Sequence, residues 1–177
     1  MATASDQFVV PNDNLMGSDS NSRSLLFYNI ELINARSLKN KTHELHYKLI
    51  NNHLDIVCIT ETWLNSSVSD SVMVSDTNFS IYRKDRVGNQ EGGGVCILTN
   101  NASVLVNPVN LPVKYQSLEL IVVDIVGLSR ESQTKGFRLF VAYRPPCSDS
   151  NSISLSYTTL LCECIESLYP INSTIVL

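Results

Sequence analysis

The chain has 177 residues, 44% of them apolar and only 17% charged, enough apolar content for one domain with a true core and too little charge for wholesale disorder. Its 13 Lys and Arg against 17 Asp and Glu leave a net charge of −4, so it lacks the global basic excess of many nucleic-acid binders. A local basic face would still serve. No basic segment followed by an apolar stretch opens the chain, and no apolar run reaches membrane length.

Residues 1–23 are rich in Ser, Asn and Asp and read as a disordered leader, with a single domain expected over 24–177. A mostly apolar run over 25–33 predicts a strand, broken by the turn formers of Asn34-Ala35-Arg36-Ser37. From 38 to 52 the period changes. Leu38, Thr42, Leu45 and Leu49 recur every three or four residues, with Lys39, Lys41, Glu44 and Lys48 between them, the pattern of an amphipathic helix. The run over 55–60 suits a strand buried on both faces, so strand, helix and strand make a βαβ unit.

Further strands are expected near 79–83, 94–99, 104–108, 118–126 and 137–143, separated by Gly, Asn, Ser and Pro. A second helix is expected over 153–169, with Leu160, Leu161, Cys164, Ile165 and Leu168 on one face and Pro170 as its stop. Residues 173–177 open another apolar strand.

Five cysteines (58, 96, 147, 162 and 164) show no metal spacing and are read as small hydrophobes. Sequons such as Asn65-Ser66-Ser67 carry no weight without secretory entry. A reducing intracellular compartment, nucleus or cytoplasm, is the default expectation.

Four segments can carry chemistry. Glu61 follows a strand, where ligands gather in open α/β sheets, and a carboxylate is a hard donor suited to Mg²⁺; it also reads as an ordinary loop acid. Asn34 and Arg36 can bond phosphate, or Asn34 is a turn residue and Ser37 a helix cap. Tyr143 and Arg144, before Pro145-Pro146, offer a hydroxyl and a cation at a stiff strand end. Glu91-Gly92-Gly93-Gly94 lacks the Lys-Ser/Thr of a P-loop and reads as a close-packed strand entry. Beside it, Tyr82-Arg83-Lys84-Asp85-Arg86 is either a solvated hairpin or a phosphate-contacting edge.

In this order, Asn34-Ala35-Arg36-Ser37, Asp55 through Leu64 with its Thr60-Glu61-Thr62-Trp63, Tyr82-Arg83 with Gly92-Gly93-Gly94-Val95, and Val141-Ala142-Tyr143-Arg144-Pro145-Pro146 resemble one family. It is the endonuclease/exonuclease/phosphatase family, in the version found at the front of non-LTR (LINE-type) retrotransposon polyproteins. The resemblance implies a four-layer α/β sandwich, deoxyribonuclease-like, here its first half plus the opening strand of the second. It implies a Mg²⁺-dependent endonuclease (Mn²⁺ as a substitute) acting on DNA, with an element-encoded reverse transcriptase as companion.

By the same resemblance Glu61 matches the metal-binding Glu, Asn34 the Asn that arranges metal and phosphate, and Tyr143 the phosphate-contacting Tyr. Arg36, Arg83 and Arg144 are candidate substrate-binding cations, although relatives often carry another residue at the position of Arg36. The family's Gly-Asp-Phe-Asn and Ser-Asp-His segments do not occur among the 177 residues. The expectation is therefore a fragment without significant nuclease activity of its own, and one that folds poorly. A related phosphatase or deadenylase fragment, or a non-catalytic remnant acting as an interaction protein, are the alternatives.

Overall fold

Alternation of side chains decides where each strand goes, and a computed structural model shows the result for residues 28–88, 92–128, 136–146, 151–169 and 175–176. The expected leader, Cys147, Glu91 and Pro170 lie outside these described residues. The first sheet contains β1 (Ile30–Asn34), β2 (Ile56–Thr60), β3 (Phe79–Lys84) and β4 (Val95–Asn100), in the order β1-β2-β4-β3. β1 and β2 run parallel across the helix α1 (Thr42–Asn51), while β4 is antiparallel to both of its neighbours.

The second sheet contains β5 (Val104–Pro108), β6 (Leu120–Gly127), β7 (Phe137–Ala142) and β8 (Ile175–Val176), in that order. β7 and β8 are parallel, and the helix α3 (Asn151–Leu168) lies between them in the chain. Two shorter pieces carried no periodic signal, the helix α2 (Asp70–Val74) and the single 3-10 turn Val113–Tyr115. Five residues are too few to show a helical period. What starts α2 is Ser69, whose side chain accepts from the Ser71 N–H.

The sheets pack face to face. In β2, Ile56 and Cys58 turn toward the second sheet and meet Val123, Ile125 and Leu139, while Val57 and Ile59 turn outward onto Leu45, Leu49 and Met73 under α1 and α2. A third cluster, with Leu120, Val122, Phe140 and Cys164, joins the outer face of the second sheet to α3. Helices, sheet, sheet and helix therefore form four layers, the architecture expected. Each fully buried aliphatic side chain contributes about 1.5–3 kcal/mol, so these three clusters hold the layers together. The thiols of Cys58 and Cys96 are part of this interior, and burial pushes Cys58 up to about 12 and Cys96 higher still. Cys164 is buried as well, whereas Cys162 is exposed.

One boundary differs for a reason that matters. The apolar period starts at Leu38, but α1 begins only at Thr42. The N–H groups of Ser37 and Leu38 donate to the carbonyls of Glu61 and Thr62, both at 2.9 Å. A residue whose N–H is committed across to another segment is not building a helix turn. Leu38 is nonetheless fully buried and anchors this loop, and Ser37 is not the cap of α1.

Register then brings the strand ends level. Asn34 pairs with Thr60, and Thr60 with Val95. In the second sheet Leu120 pairs with Ala142, which puts Glu119 beside Tyr143. The Tyr143 N–H donates to the Glu119 carbonyl at 2.9 Å.

Candidate active site

Asn34, Glu61 and Tyr143 converge at this level end of the sandwich. The Asn34 amide donates through Nδ2 to Glu61 Oε1 at 2.9 Å, and its Oδ1 accepts from the Arg36 N–H at 3.2 Å. Both ends of the amide are thus committed, which fixes how the carboxylate is presented. From the other sheet, Tyr143 comes close enough to Glu61 for the carboxylate charge to act on its hydroxyl. Burial, reinforced by the Glu61 charge, holds the Tyr143 hydroxyl above its ordinary value, so it keeps its proton. A phenol that stays protonated remains a donor.

The loop holding Glu61 is strained and tightly laced. Arg36, Ser37, Glu61 and Trp63 all have positive φ, at 43°, 82°, 52° and 54°. Such a conformation costs a non-glycine residue about 1–2 kcal/mol, and it persists only where surroundings over-determine it. Here they do. Thr62 N–H donates to the Gly94 carbonyl at 3.2 Å and Trp63 N–H to that of Gly93 at 2.9 Å. Lys41 Nζ donates to the carbonyls of Ala35 and Arg36 and steadies the left-handed turn. Gly94, at φ 81°, packs so closely that a Cβ there would stand 2.6 Å from Thr62 Oγ1.

A buried carboxylate behind the site ties the two sheets together. Glu119 is 8% exposed; its Oε2 accepts from the Gly94 N–H at 2.5 Å and its Oε1 from Arg86 Nε at 2.6 Å. The Arg86 guanidinium in turn lies 5.8 Å from the centre of the Tyr143 ring, within cation–π range. Tyr157, from α3, donates its hydroxyl to the Tyr143 carbonyl at 2.8 Å and accepts from the Glu119 N–H at 3.2 Å. Glu119 thus braces the backbone beside Glu61 and the side chain beside Tyr143 together. Sequence reasoning missed Glu119, Tyr157 and Lys41. A lone acid at a strand start and a Tyr on a helix carry no signal until the sheets meet.

The candidate arginines divide. Arg36 is on the strained turn and exposed, directly beside Asn34, and Arg144 is exposed next to Tyr143. Arg83 is not brought to this cluster. Its guanidinium is taken up by Asp70 and Asp85, each at 3.2 Å, and by the Asn65 carbonyl at 3.1 Å. The Gly-rich segment is a close-approach strand entry, with Gly92, Gly93 and Gly94 all at positive φ.

Among the described residues no group of three or more His, Cys, Asp or Glu side chains could hold a metal ion. The donors present nevertheless fit Mg²⁺ in its looser mode, one carboxylate with the remaining positions filled by water and substrate phosphate. Glu61, oriented by Asn34, would be that carboxylate.

No protein-family model matches this chain, and no curated protein matches it in sequence. Solved structures do match its fold. The catalytic domain of Xenopus laevis APE2 aligns with a TM-score of 0.64 at 15% identity, over 82% of this chain and 55% of that one. A 3' phosphatase, NExo, from Neisseria, solved with a product DNA hairpin, gives 0.59 at 17% identity, over 82% and 54%. An AP endonuclease from Archaeoglobus fulgidus gives 0.57 at 17%, over 82% and 54%. These are enzymes with the endonuclease/exonuclease/phosphatase fold, and the present chain shares that two-sheet architecture. It spans about half the length of each.

Proposed function

We propose that this chain carries the Glu61 half of a divalent-metal-dependent phosphodiesterase site that acts on DNA. The observation that carries the reading is the convergence of Asn34, Glu61 and Tyr143 from separate strand ends, with Asn34 Nδ2 2.9 Å from Glu61. A carboxylate, an amide and a protonated phenol around one point suit a phosphate-bound cation. Glu61 would hold Mg²⁺, or Mn²⁺ in its place, and Asn34 would keep the carboxylate turned toward it. Bound there, the cation supplies Lewis-acid charge neutralisation at a phosphate oxygen. Tyr143 donates its O–H to a non-bridging phosphate oxygen, and Arg36 and Arg144 add positive charge to either side.

The described cluster offers one carboxylate and no imidazole. Residues that act as a unit in hydrolysis fail as a unit, so we expect metal and DNA binding with negligible turnover by this chain. The order of the four motifs favours a non-LTR retrotransposon endonuclease, with an element-encoded reverse transcriptase as companion in the polyprotein. Calorimetric titration with Mg²⁺ and Mn²⁺, alongside plasmid nicking, tests the reading. The expected outcome is binding of both ions that is lost in Glu61→Gln, with no nicking. Ion binding unchanged in Glu61→Gln would remove the site. Nicking abolished by Glu61→Ala would instead show a competent enzyme.

A further inference from the structure

Trp63, the only tryptophan in the chain, stands two residues beyond Glu61 and is 37% exposed. Burial does not account for it, since a core-filling indole would be covered. Nor does backbone preference, because φ of 54° disfavours a bulky side chain and would suit Gly or Asn better. The backbone is pinned, with Trp63 N–H donating to the Gly93 carbonyl at 2.9 Å. The indole is backed by glycine: a Cβ on Gly92 would come 3.7 Å from Trp63 Nε1 and 3.6 Å from Arg86 Nη1. Arg86 reaches on to the Tyr143 ring. Trp63, Arg86, Tyr143 and Glu61 therefore follow one another along one rim. Of the other large exposed aromatics among the described residues, Tyr47 is on α1 and Tyr169 follows α3, neither on these strand-end loops.

A flat apolar face beside the carboxylate proposed to hold the cation fits a flat, neutral partner. Arg86 is already engaged by Glu119 at 2.6 Å, so this spot is not built for a second phosphate. We infer that Trp63 is a stacking platform for an unpaired nucleobase of the strand whose phosphate lies at Glu61. The inference rests on the reading of the site as DNA-binding, and it adds how the strand is gripped. Stacking is tolerant of base identity, so the platform would set strand position rather than sequence preference.

Because the protein has one tryptophan, indole emission reports on this residue alone. The full chain is titrated, in Mg²⁺, with a short oligothymidylate and with an abasic deoxyribose-phosphate oligomer of the same length, binding being followed in parallel by anisotropy of an end label. The expected result is strong quenching by the base-bearing oligomer and little by the abasic one. Trp63→Ala should weaken the base-bearing oligomer about tenfold and leave the abasic one unchanged, with Trp63→Phe restoring most of the loss. If Trp63→Ala fails to fold by circular dichroism, Trp63→Phe and the quenching comparison still decide. Binding of both oligomers with equal quenching, or with none, overturns the platform and leaves the DNA-binding reading standing. No binding of either oligomer overturns both.

Discussion

The interior of the sandwich and the loops at its strand ends obey different rules. In β2 and β4 a continuous apolar run is buried on both faces, and Ile56, Val57, Ile59, Val95, Ile97 and Leu98 are fully buried. At the level of Asn34 and Glu61 the local preferences are broken repeatedly. Four non-glycine residues adopt left-handed φ there, facing three consecutive glycines that do the same. A buried carboxylate, Glu119, is kept behind them where an apolar residue would be the cheaper choice. Local rules obeyed mark where a chain needs only to fold, and rules broken together mark where it has been shaped for something else.

Four substitutions sharpen or break that contrast. Glu119→Ala would leave Arg86 and the Gly94 N–H without their shared acceptor, both largely buried. We expect a loss of about 3–5 kcal/mol in urea unfolding, the usual cost of breaking one side of a buried pair. A loss below about 1 kcal/mol would mean that the loop cluster is not braced by this residue.

The interior answers to alkaline pH instead. The Cys58 thiol, with a reference value of 9.0, is pushed up to about 12 by burial. A raised folded value means that its contribution is fully present below about 9 and is lost as pH climbs toward 12. Melting temperature should therefore fall steeply over that range, and Cys58→Ala should flatten the fall while lowering stability at neutral pH.

Gly94→Ala brings a methyl to within 2.6 Å of Thr62 Oγ1 at a φ that alanine resists. About 2–3 kcal/mol should be lost in thermal unfolding, with Glu61 displaced as a consequence. Smallest is Arg36→Gly. Its side chain is exposed and its φ is 43°, so relief of strain should raise stability by about 0.5–1 kcal/mol. A loss there, measured by the same melt, would show that the turn is not strained.

Much of the fold was legible because burial writes itself as period. The β1-α1-β2 unit, the strands of the middle region and α3 all follow from apolar spacing, with ends shifted by a few residues. α2 was not, because its five residues begin from the hydroxyl of Ser69 and not from an apolar stripe. The late start of α1 was hidden too, since Ser37 and Leu38 spend their N–H groups on Glu61 and Thr62, which are remote in sequence.

At the site, Asn34, Glu61 and Tyr143 were visible as motif residues, and their meeting depends on register that spacing alone does not supply. Arg83 looked like a phosphate cation in its basic stretch, yet it lies with Asp70 and Asp85. Charge along a chain does not say which face receives it.

The central claim is that one carboxylate, shared between the two sheets, holds a cation. Mn²⁺ offers a direct view, because its unpaired electrons broaden nearby amide resonances. Titrating the ¹⁵N-labelled chain with Mn²⁺ should first erase the Asn34 side-chain signal and the amides of Thr62 and Trp63, with Glu61→Gln restoring them. Broadening that instead begins at Asp70, Asp124 or Glu163, or that persists in Glu61→Gln, would contradict the account.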